Sequence, residues 1–373
     1  MRRFDLGMSL NYVEAWGIVE AVREIFQNAF DAEVQNPENK MYFGYDKESQ
    51  TLHIGNTGGS LGTETLLLGS SSKTHDKNTI GKHGEGYKVA TVVLKRLGKG
   101  VVIHNRGSKE TWTAKVIKSR RYNSQVVVFD IEKGFFFTKV PNLDLVFEIT
   151  GVSESEYVQI AESNLHIHKV ENVVKGEGGD VLLDTFEVGR IYVGGLLVMR
   201  SKYASYGYNF APSMVALTRD RDMVDNIDLQ FLCSKVLAST GNADLICNAK
   251  NQWDGRYIHF YISCFDPDVG TTVYDRTYRE FYIKYGEDAI PCCSTDEFNR
   301  LSKRGFNPVL LSDTTSYFVT HSSFYVPAVE SEPERTAETV LSDLNTWLDN
   351  LLDKEDEDYK TGKALLDELS DLI

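Results

Sequence analysis

The 373-residue sequence predicts an α+β fold with a second α/β region and an acidic helical tail. Apolar residues recur at helical spacing in two segments near the start of the chain, and from residue 101 to residue 149 they alternate at period two. Strands that follow helices as a run, instead of alternating with them, are typical of an α+β sandwich. The hydrophobic content of 42% is sufficient to fill such cores.

The first predicted domain, residues 1–165, opens with a helix at residues 12–33, which Asn36-Pro37 ends. A Gly/Ser/Thr-rich stretch at residues 55–86 is long for a compact domain and is typical of a functional lid. A second helix follows at residues 87–97. Strands are predicted at residues 41–43, 51–54, 101–104, 111–117, 125–131 and 143–149, with a closing helix at residues 153–165.

The second predicted region, residues 166–330, follows a linker expected at residues 176–179. Its predicted strands are residues 181–183, 189–193 and 196–200, its first helix is residues 220–238, and a strand–helix–strand unit covers residues 289–311. Ser294 or Thr295 is the expected N-cap of the helix in that unit.

The tail, residues 331–373, contains most of the negative charge. From Glu330 to the end, 14 acidic and 4 basic residues give a net charge of −10, out of −14 for the whole chain. Apolar residues at spacings of three and four predict two amphipathic helices around an acidic link. These helices either pack on the body of the protein or form an association surface for a partner or a second copy.

Composition and targeting signals limit the possible environments. The net negative charge argues against a general nucleic-acid coat. The sequence has no segment apolar and long enough to cross a bilayer and no secretory signal at its N-terminus, and its cysteines lack metal-ligand spacing. We therefore expect no membrane association, and a reducing cytoplasm fits best.

Three short segments carry the candidate chemistry. In the first, Glu24, Asn28 and Asp31 lie at i, i+4 and i+7, so that a helix projects all three from one face. Two carboxylates and an amide on one stripe can hold a water, a magnesium ion and a polar ligand. The alternative is an ordinary solvated face of an amphipathic helix.

The other two segments are rich in glycine. Residues 54–61 follow a strand, and Asn56 and Gly58 lie where small residues let the backbone approach a flat ligand. In residues 80–88, Gly81, Gly84 and Gly86 open a helix, where exposed amides and the helix dipole favour an anion. Each segment alone is equally consistent with an ordinary turn.

Together and in this order, the segments resemble the GHKL superfamily of ATPases, whose members share the Bergerat fold. The motif Glu-x-x-x-Asn-x-x-Asp-Ala matches from Glu24, and the motif Gly-x-x-Gly-x-Gly matches from Gly81. The ending Gly86-Tyr-Lys88 and the upstream Ser72-Lys73 are most similar to the chaperone and MORC branches. The chain also looks similar to ATP-binding proteins of large bacteriophages.

The resemblance implies the cofactors ATP and Mg²⁺ and a role for each matching residue. Asn28 would coordinate magnesium, and Glu24 would act as the general base on the attacking water. Asp31 and Asn56 would line the site of the nucleobase. Phosphate would be bound by backbone amides and basic side chains of the lid and of the helix that follows it: Lys73, Gly81, Gly84, Gly86 and Lys88. Gly58 would also belong to the nucleotide site.

One motif departs from the family pattern. The middle motif normally reads Asp-x-Gly-x-Gly, and this chain has Asn56 for the aspartate and Ser60 for the second glycine. An asparagine accepts a hydrogen bond more weakly than a carboxylate does. Adenine affinity and the choice of base are therefore open.

Residues 194–224 resemble a transducer domain, which supplies a basic phosphate sensor in this family. Arg219 and Arg221 are the candidates, with Lys202 behind them, and a surface run of ion pairs is the equal alternative. Lys115, Lys118, Arg120 and Arg121 indicate either a nucleic-acid contact or an exposed hairpin with basic edges.

The sequence thus predicts a slow ATPase that works as a conformational and dimerisation switch on a macromolecular partner. A histidine kinase is disfavoured because Glu24 is present and few residues precede it. The remaining alternative is a non-catalytic interaction module that works through the acidic tail.

Overall fold

The computed structural model describes residues 1–67, 86–120, 123–135, 137, 139–140, 142–215, 226–327, 337–351 and 357–371. The chain divides into two compact units, Met1–Gly270 and Thr271–Ile373. The division into three domains at residues 165 and 330 stays a prediction. No helix in the described ranges combines the length and the apolarity that crossing a bilayer demands.

Within the described residues, one sheet of seven strands forms the centre of the first unit. Its strands are β1 (Arg2–Ser9), β2 (Met41–Asp46), β3 (Thr51–Asn56), β4 (Gly100–Asn105), β5 (Glu110–Ser119), β6 (Ser124–Lys133) and β7 (Leu145–Thr150). They are ordered β1-β6-β5-β4-β7-β3-β2, and every neighbouring pair is antiparallel. Helices α1 (Ile18–Gln35), α2 (Gly86–Arg96) and α3 (Glu154–Glu162) belong to the same core, which confirms the α+β sandwich.

The core lies between the sheet and these helices. Ile54 of β3 and Trp112 of β5 are fully buried there, together with Ile25 of α1 and Val92 of α2. Because side chains alternate across a strand, the period-two pattern places every second strand residue in this layer. Capping fixes the start of α3, where Ser153 Oγ accepts from the Glu156 amide and Glu156 accepts from the Ser153 amide.

Strand β1 was missed by the sequence prediction, which places no strand before residue 41. It pairs with β6 at one edge of the sheet, and Leu6 and Met8 are buried in the core. The Arg3 guanidinium donates twice to the Asp130 carboxylate, at 2.6 and 2.9 Å. These bonds, together with Lys115, hold the pKa of Asp130 well below its usual range.

Helix α1 begins at Ile18, so the predicted start at residue 12 is wrong. The preceding segment is bound to Arg96 at the end of α2, whose guanidinium donates to the carbonyls of Leu10, Tyr12, Val13 and Trp16. Val13 has a φ of 49°, in the left-handed region. The long-range bonds from Arg96 outweigh the helical periodicity of these residues.

A second sheet lies in the same unit and consists of β8 (Val173–Gly176), β9 (Gly179–Leu182), β10 (Arg190–Val193), β11 (Leu196–Arg200) and β12 (Gly207–Phe210). Their order is β11-β10-β12-β9-β8, and the β10–β12 pair is parallel. The linker predicted at residues 176–179 is instead the turn of the β8–β9 hairpin. Helices α4 (Asn226–Ser239) and α5 (Ala243–Ala249) follow, and α4 packs on β8 and β9.

The second unit contains the predicted strand–helix–strand motif. Its elements are α6 (Pro267–Tyr285, which begins in the first unit), β13 (Ala289–Cys292), α7 (Thr295–Lys303), β14 (Asn307–Leu310), α8 (Asp313–Thr320), α9 (Ala337–Leu351) and α10 (Glu357–Asp371). Ser294 is the N-cap of α7, as one of the two expected residues. Helices α9 and α10 pack together, and Lys363 Nζ donates to Asn345 Oδ1 at 2.6 Å.

The face of the first sheet opposite α1 carries a polar cluster under Phe137. Glu148 Oε2 lies 3.4 Å from His104 Nε2 and 3.6 Å from His53 Nε2, and both imidazoles are buried. His104 and then His53 hold the pKa of Glu148 well below its ordinary value of 4.5. A carboxyl whose pKa is lower in the folded state stabilises the fold above pH 4.5 and loses that contribution as the pH falls below it.

We therefore expect the substitution Glu148→Gln to flatten the dependence of unfolding free energy on pH below 4.5. The measurement is urea unfolding of wild type and variant from neutral pH into the acid range. The exposed Glu48→Gln variant is the control and should keep the wild-type acid dependence. If Glu148→Gln and wild type lose stability in parallel on acidification, the cluster makes no such contribution.

Candidate functional site

The polar stripe of α1 is mostly buried. Glu24 is 3% exposed, Asp31 is 1% exposed, and Asn28 between them is half-buried. An amphipathic helix places its solvated residues outward, so these exposures contradict the solvated-face interpretation of the stripe. Carboxylates are rarely buried to this degree without a partner or a ligand. The stripe therefore has the burial expected of a site.

The first and third motifs meet at Glu24. A Cβ added to Gly86, the first residue of α2, would collide with Glu24 Oε2. Glycine at residue 86 therefore lets the carboxylate lie against the N-terminal end of α2. The helix dipole favours negative charge at this end. A phosphate drawn to the same end would lie beside Glu24.

The middle motif is fixed to α1 through Asn56. The buried Asn56 side chain donates from Nδ2 to the carbonyl oxygen of Ala29 at 2.8 Å and to that of Asn39 at 3.3 Å. A carboxylate has no donor for either carbonyl. The departure from the family aspartate is thus matched by the local structure, in which residue 56 acts as a hydrogen-bond donor.

The turn after Asn56 depends on a glycine and on two polar side chains. Gly58 has a φ of 69°, which favours glycine, and its amide donates to Asp144 Oδ2 at 2.7 Å. Asn105 Nδ2 donates to the Leu61 carbonyl at 2.6 Å. Sequence reasoning missed Asp144, which directly precedes β7, and Asn105, which ends β4, because both are distant in the sequence and neither belongs to a motif.

Lys88 is completely buried, and its ammonium binds the backbone. Nζ donates to the carbonyls of Thr65 and Leu67 at 2.9 and 2.6 Å. The lysine therefore fixes the end of the described segment at residues 65–67. Residues 68–85 lie outside the described part of the chain. A phosphate contact of Lys88 stays a prediction.

Several predicted residues lie outside the described part of the chain. These residues are Lys73, Gly81, Gly84, Arg219 and Arg221. Lys202, which was placed behind the two arginines, is exposed, and its Nζ lies 4.9 Å from the centre of the Tyr203 ring. The structure thus brings together Glu24, Gly86, Asn56 and the rest of the α1 stripe, and the assignment of the remaining residues stays a prediction.

The donor set suits magnesium better than a tightly held structural metal. Within the described residues, no group of three His, Cys, Asp or Glu side chains is placed to hold a metal ion. Asn28 offers a single amide oxygen. Magnesium usually binds through one or two protein oxygens together with phosphate and water. Asn28 could thus hold a magnesium ion that takes its other ligands from phosphate and water.

Arg23 is a further residue of the site that the sequence did not single out. It is buried beside Glu24, with its Nε 3.8 Å from Glu24 Oε1, and its Nη1 donates to the carbonyl of Leu197 in the second sheet at 3.0 Å. In the sequence, only its position directly before Glu24 points to Arg23. The contact with Leu197 depends on the fold.

Comparisons with known proteins give a weak structural similarity. No protein-family model and no curated protein matches the sequence. The chain is similar to the ATPase region of Saccharomyces cerevisiae topoisomerase II bound to ICRF-187 (dexrazoxane), with a TM-score of 0.34 and 10% identity, over 55% of this chain and 76% of that chain. For a second structure of that region the TM-score is 0.27 and the identity 11%, over 48% and 62%. Similarity at this level does not define an activity.

We expect Asn56→Asp to destabilise the protein, because the new carboxylate would face the carbonyls of Ala29 and Asn39. The loss of a buried hydrogen-bond donor predicts a cost of about 1–3 kcal/mol in the free energy of unfolding. Urea denaturation measures it. Asn36→Asp is the matched control, since Asn36 is exposed and its Oδ1 accepts from the Glu38 amide, as an aspartate can. Equal stability of both variants would show that the Asn56 amide is not required as a donor.

Proposed function

We propose that the chain is a GHKL-type ATPase that binds Mg-ATP between α1 and the N-terminal end of α2. The observation that carries the proposal is the burial of Glu24 against Gly86, which joins the first and third motifs of the resemblance in one place. A buried carboxylate beside a helix N-terminus combines a general base with a position that attracts phosphate.

Each residue then has one task. Asn28 would hold the magnesium ion, which would supply positive charge for the phosphate oxygens, and Glu24 would orient and deprotonate the attacking water. Asp31 and Asn56 line the site of the nucleobase. The backbone amides at Gly81, Gly84 and Gly86, with Lys73 and Lys88, bind phosphates, and Arg219 or Arg221 senses the terminal phosphate. Glu24 performs its task through its carboxylate, whose loss should leave nucleotide binding intact.

Glu24→Gln should therefore reduce phosphate release by at least about 100-fold while the protein still binds ATP. Glutamine keeps the size of the side chain and removes the basic oxygen. A phosphate-release assay with purified protein gives the rate. The control is Glu38→Gln, which replaces an exposed carboxylate and should keep the wild-type rate. Equal rates for wild type and Glu24→Gln would remove Glu24 from the role of base.

The nucleotide is further proposed to change the dimer state and thereby to act on a macromolecular partner. Light scattering should give a larger mass with Mg²⁺ and a non-hydrolysable ATP analogue than without nucleotide, and Asn28→Ala should abolish the increase because it loses the metal. A mass that does not depend on nucleotide would contradict the dimerisation switch.

One observation favours the second candidate, a protein-interaction module that works through the acidic tail. Helices α9 and α10 expose large apolar side chains, among them Trp347 at 56% and Leu365 at 56%. Exposed apolar side chains with acidic neighbours are typical of an association surface. Nucleotide binding separates the candidates, because the module alone needs no ATP.

A further inference from the structure

Arg23 connects the helix that carries Glu24 to the second sheet. Its side chain is 8% exposed and lies over the ring of Trp16, with the guanidinium carbon 5.7 Å from the ring centre. From this position it donates to the Leu197 carbonyl at 3.0 Å and approaches Glu24 Oε1 to 3.8 Å. One guanidinium thus contacts both the candidate base and a strand of the other sheet.

The acceptor of Arg23 is held firmly in its own sheet. Leu197 lies just after the turn of the β10–β11 hairpin, and its amide donates to the Ser163 carbonyl at 2.9 Å. The turn residue Gly195 accepts from the Leu165 amide at 2.8 Å, and its own amide donates to Asn209 Oδ1 at 2.8 Å. These bonds fix the Leu197 carbonyl within the hairpin, so the carbonyl moves only when the second sheet moves.

The hairpin also contacts α1 at a second point, farther from Glu24. His166 Nε2 lies 2.9 Å from the Gly194 carbonyl, and its ring lies against Phe30 at a centroid distance of 4.3 Å. His166 thus links the hairpin to α1 by binding the Gly194 carbonyl and packing its ring on Phe30. The contact through Arg23 differs, because it ends on the side chain that is proposed to perform the chemistry.

Arginine is well suited to this position. Its planar guanidinium has several donors in a fixed geometry, so it can hold a carbonyl and a neighbouring carboxylate together. Lysine would present the same charge from a single flexible ammonium. A displacement of about 1 Å in a catalytic group can cost about 100-fold in rate. Small movements of the hairpin could thus change hydrolysis through Arg23.

We propose that Arg23 is a positioning residue that sets the orientation of Glu24 and couples it to the place of the β10–β11 hairpin. The inference rests on the proposed ATPase function and adds a route by which the second sheet regulates hydrolysis. When the hairpin keeps its contact with Arg23, Glu24 is held toward the end of α2. When the hairpin moves, the guanidinium moves with it and Glu24 loses its orientation.

The test uses the full chain with Arg23→Met, which keeps the packing on Trp16 and removes both polar contacts. The turnover number should fall by about 10- to 100-fold, whereas the Kd for a non-hydrolysable ATP analogue should stay unchanged. Arg23→Lys should recover part of the turnover. Arg3→Met is the control, because Arg3 donates twice to the buried Asp130 carboxylate at the β1 edge of the first sheet and belongs neither to the site nor to the hairpin. Its loss should lower the melting temperature and leave the turnover number of the folded protein unchanged.

Several results would overturn the inference. Unchanged turnover in Arg23→Met would do so, as would an effect confined to the Kd of the analogue or an equal loss of turnover in Arg3→Met. If Arg23→Met does not fold, Arg23→Lys decides: wild-type turnover would show that the guanidinium geometry is not required. A wild-type protein that neither binds nor hydrolyses ATP would instead remove the proposed function, and the inference with it.

Discussion

The burial of the Glu24 carboxylate against the N-terminal end of α2 is the constraint on which the rest of the site depends. A carboxylate that is 3% exposed is costly unless its surroundings stabilise the charge. The structure meets this demand with a helix end on one side and the guanidinium of Arg23 on the other. The contact with the helix end requires that α1 and α2 keep a fixed relative position, and the common core beneath them provides it.

Around this point, polar side chains bind backbone carbonyls and so fix loops that have little core of their own. Asn56 binds the carbonyls of Ala29 and Asn39, Asn105 binds that of Leu61, and Lys88 binds those of Thr65 and Leu67. Arg96 does the same for the segment before α1. A loop held by a few such donors can exchange them for ligand atoms without a change in the core. This arrangement suits a site that must admit and release a charged ligand.

Periodicity predicted most of the first sheet and its helices, because in these elements burial alone selects the secondary structure. The motifs also predicted that Glu24 and Gly86 belong to one site. Strand β1 was missed although Phe4, Leu6 and Met8 alternate at period two. The start of α1 was wrong because Arg96 binds the carbonyls that a helix would use. Arg23 could not be found either, since its acceptor, Leu197, lies far along the chain. Contacts between distant residues are what local patterns do not contain.

The central claim is that the stripe on α1 and the end of α2 form one nucleotide site, and calorimetric titration tests it most directly. The wild-type chain is titrated with a non-hydrolysable ATP analogue in the presence and absence of Mg²⁺, beside the Asn28→Ala variant. The account predicts magnesium-dependent binding with a Kd in the micromolar-to-millimolar range, which Asn28→Ala loses. No heat and no thermal shift at several millimolar nucleotide, or binding that Asn28→Ala leaves unchanged, would contradict it.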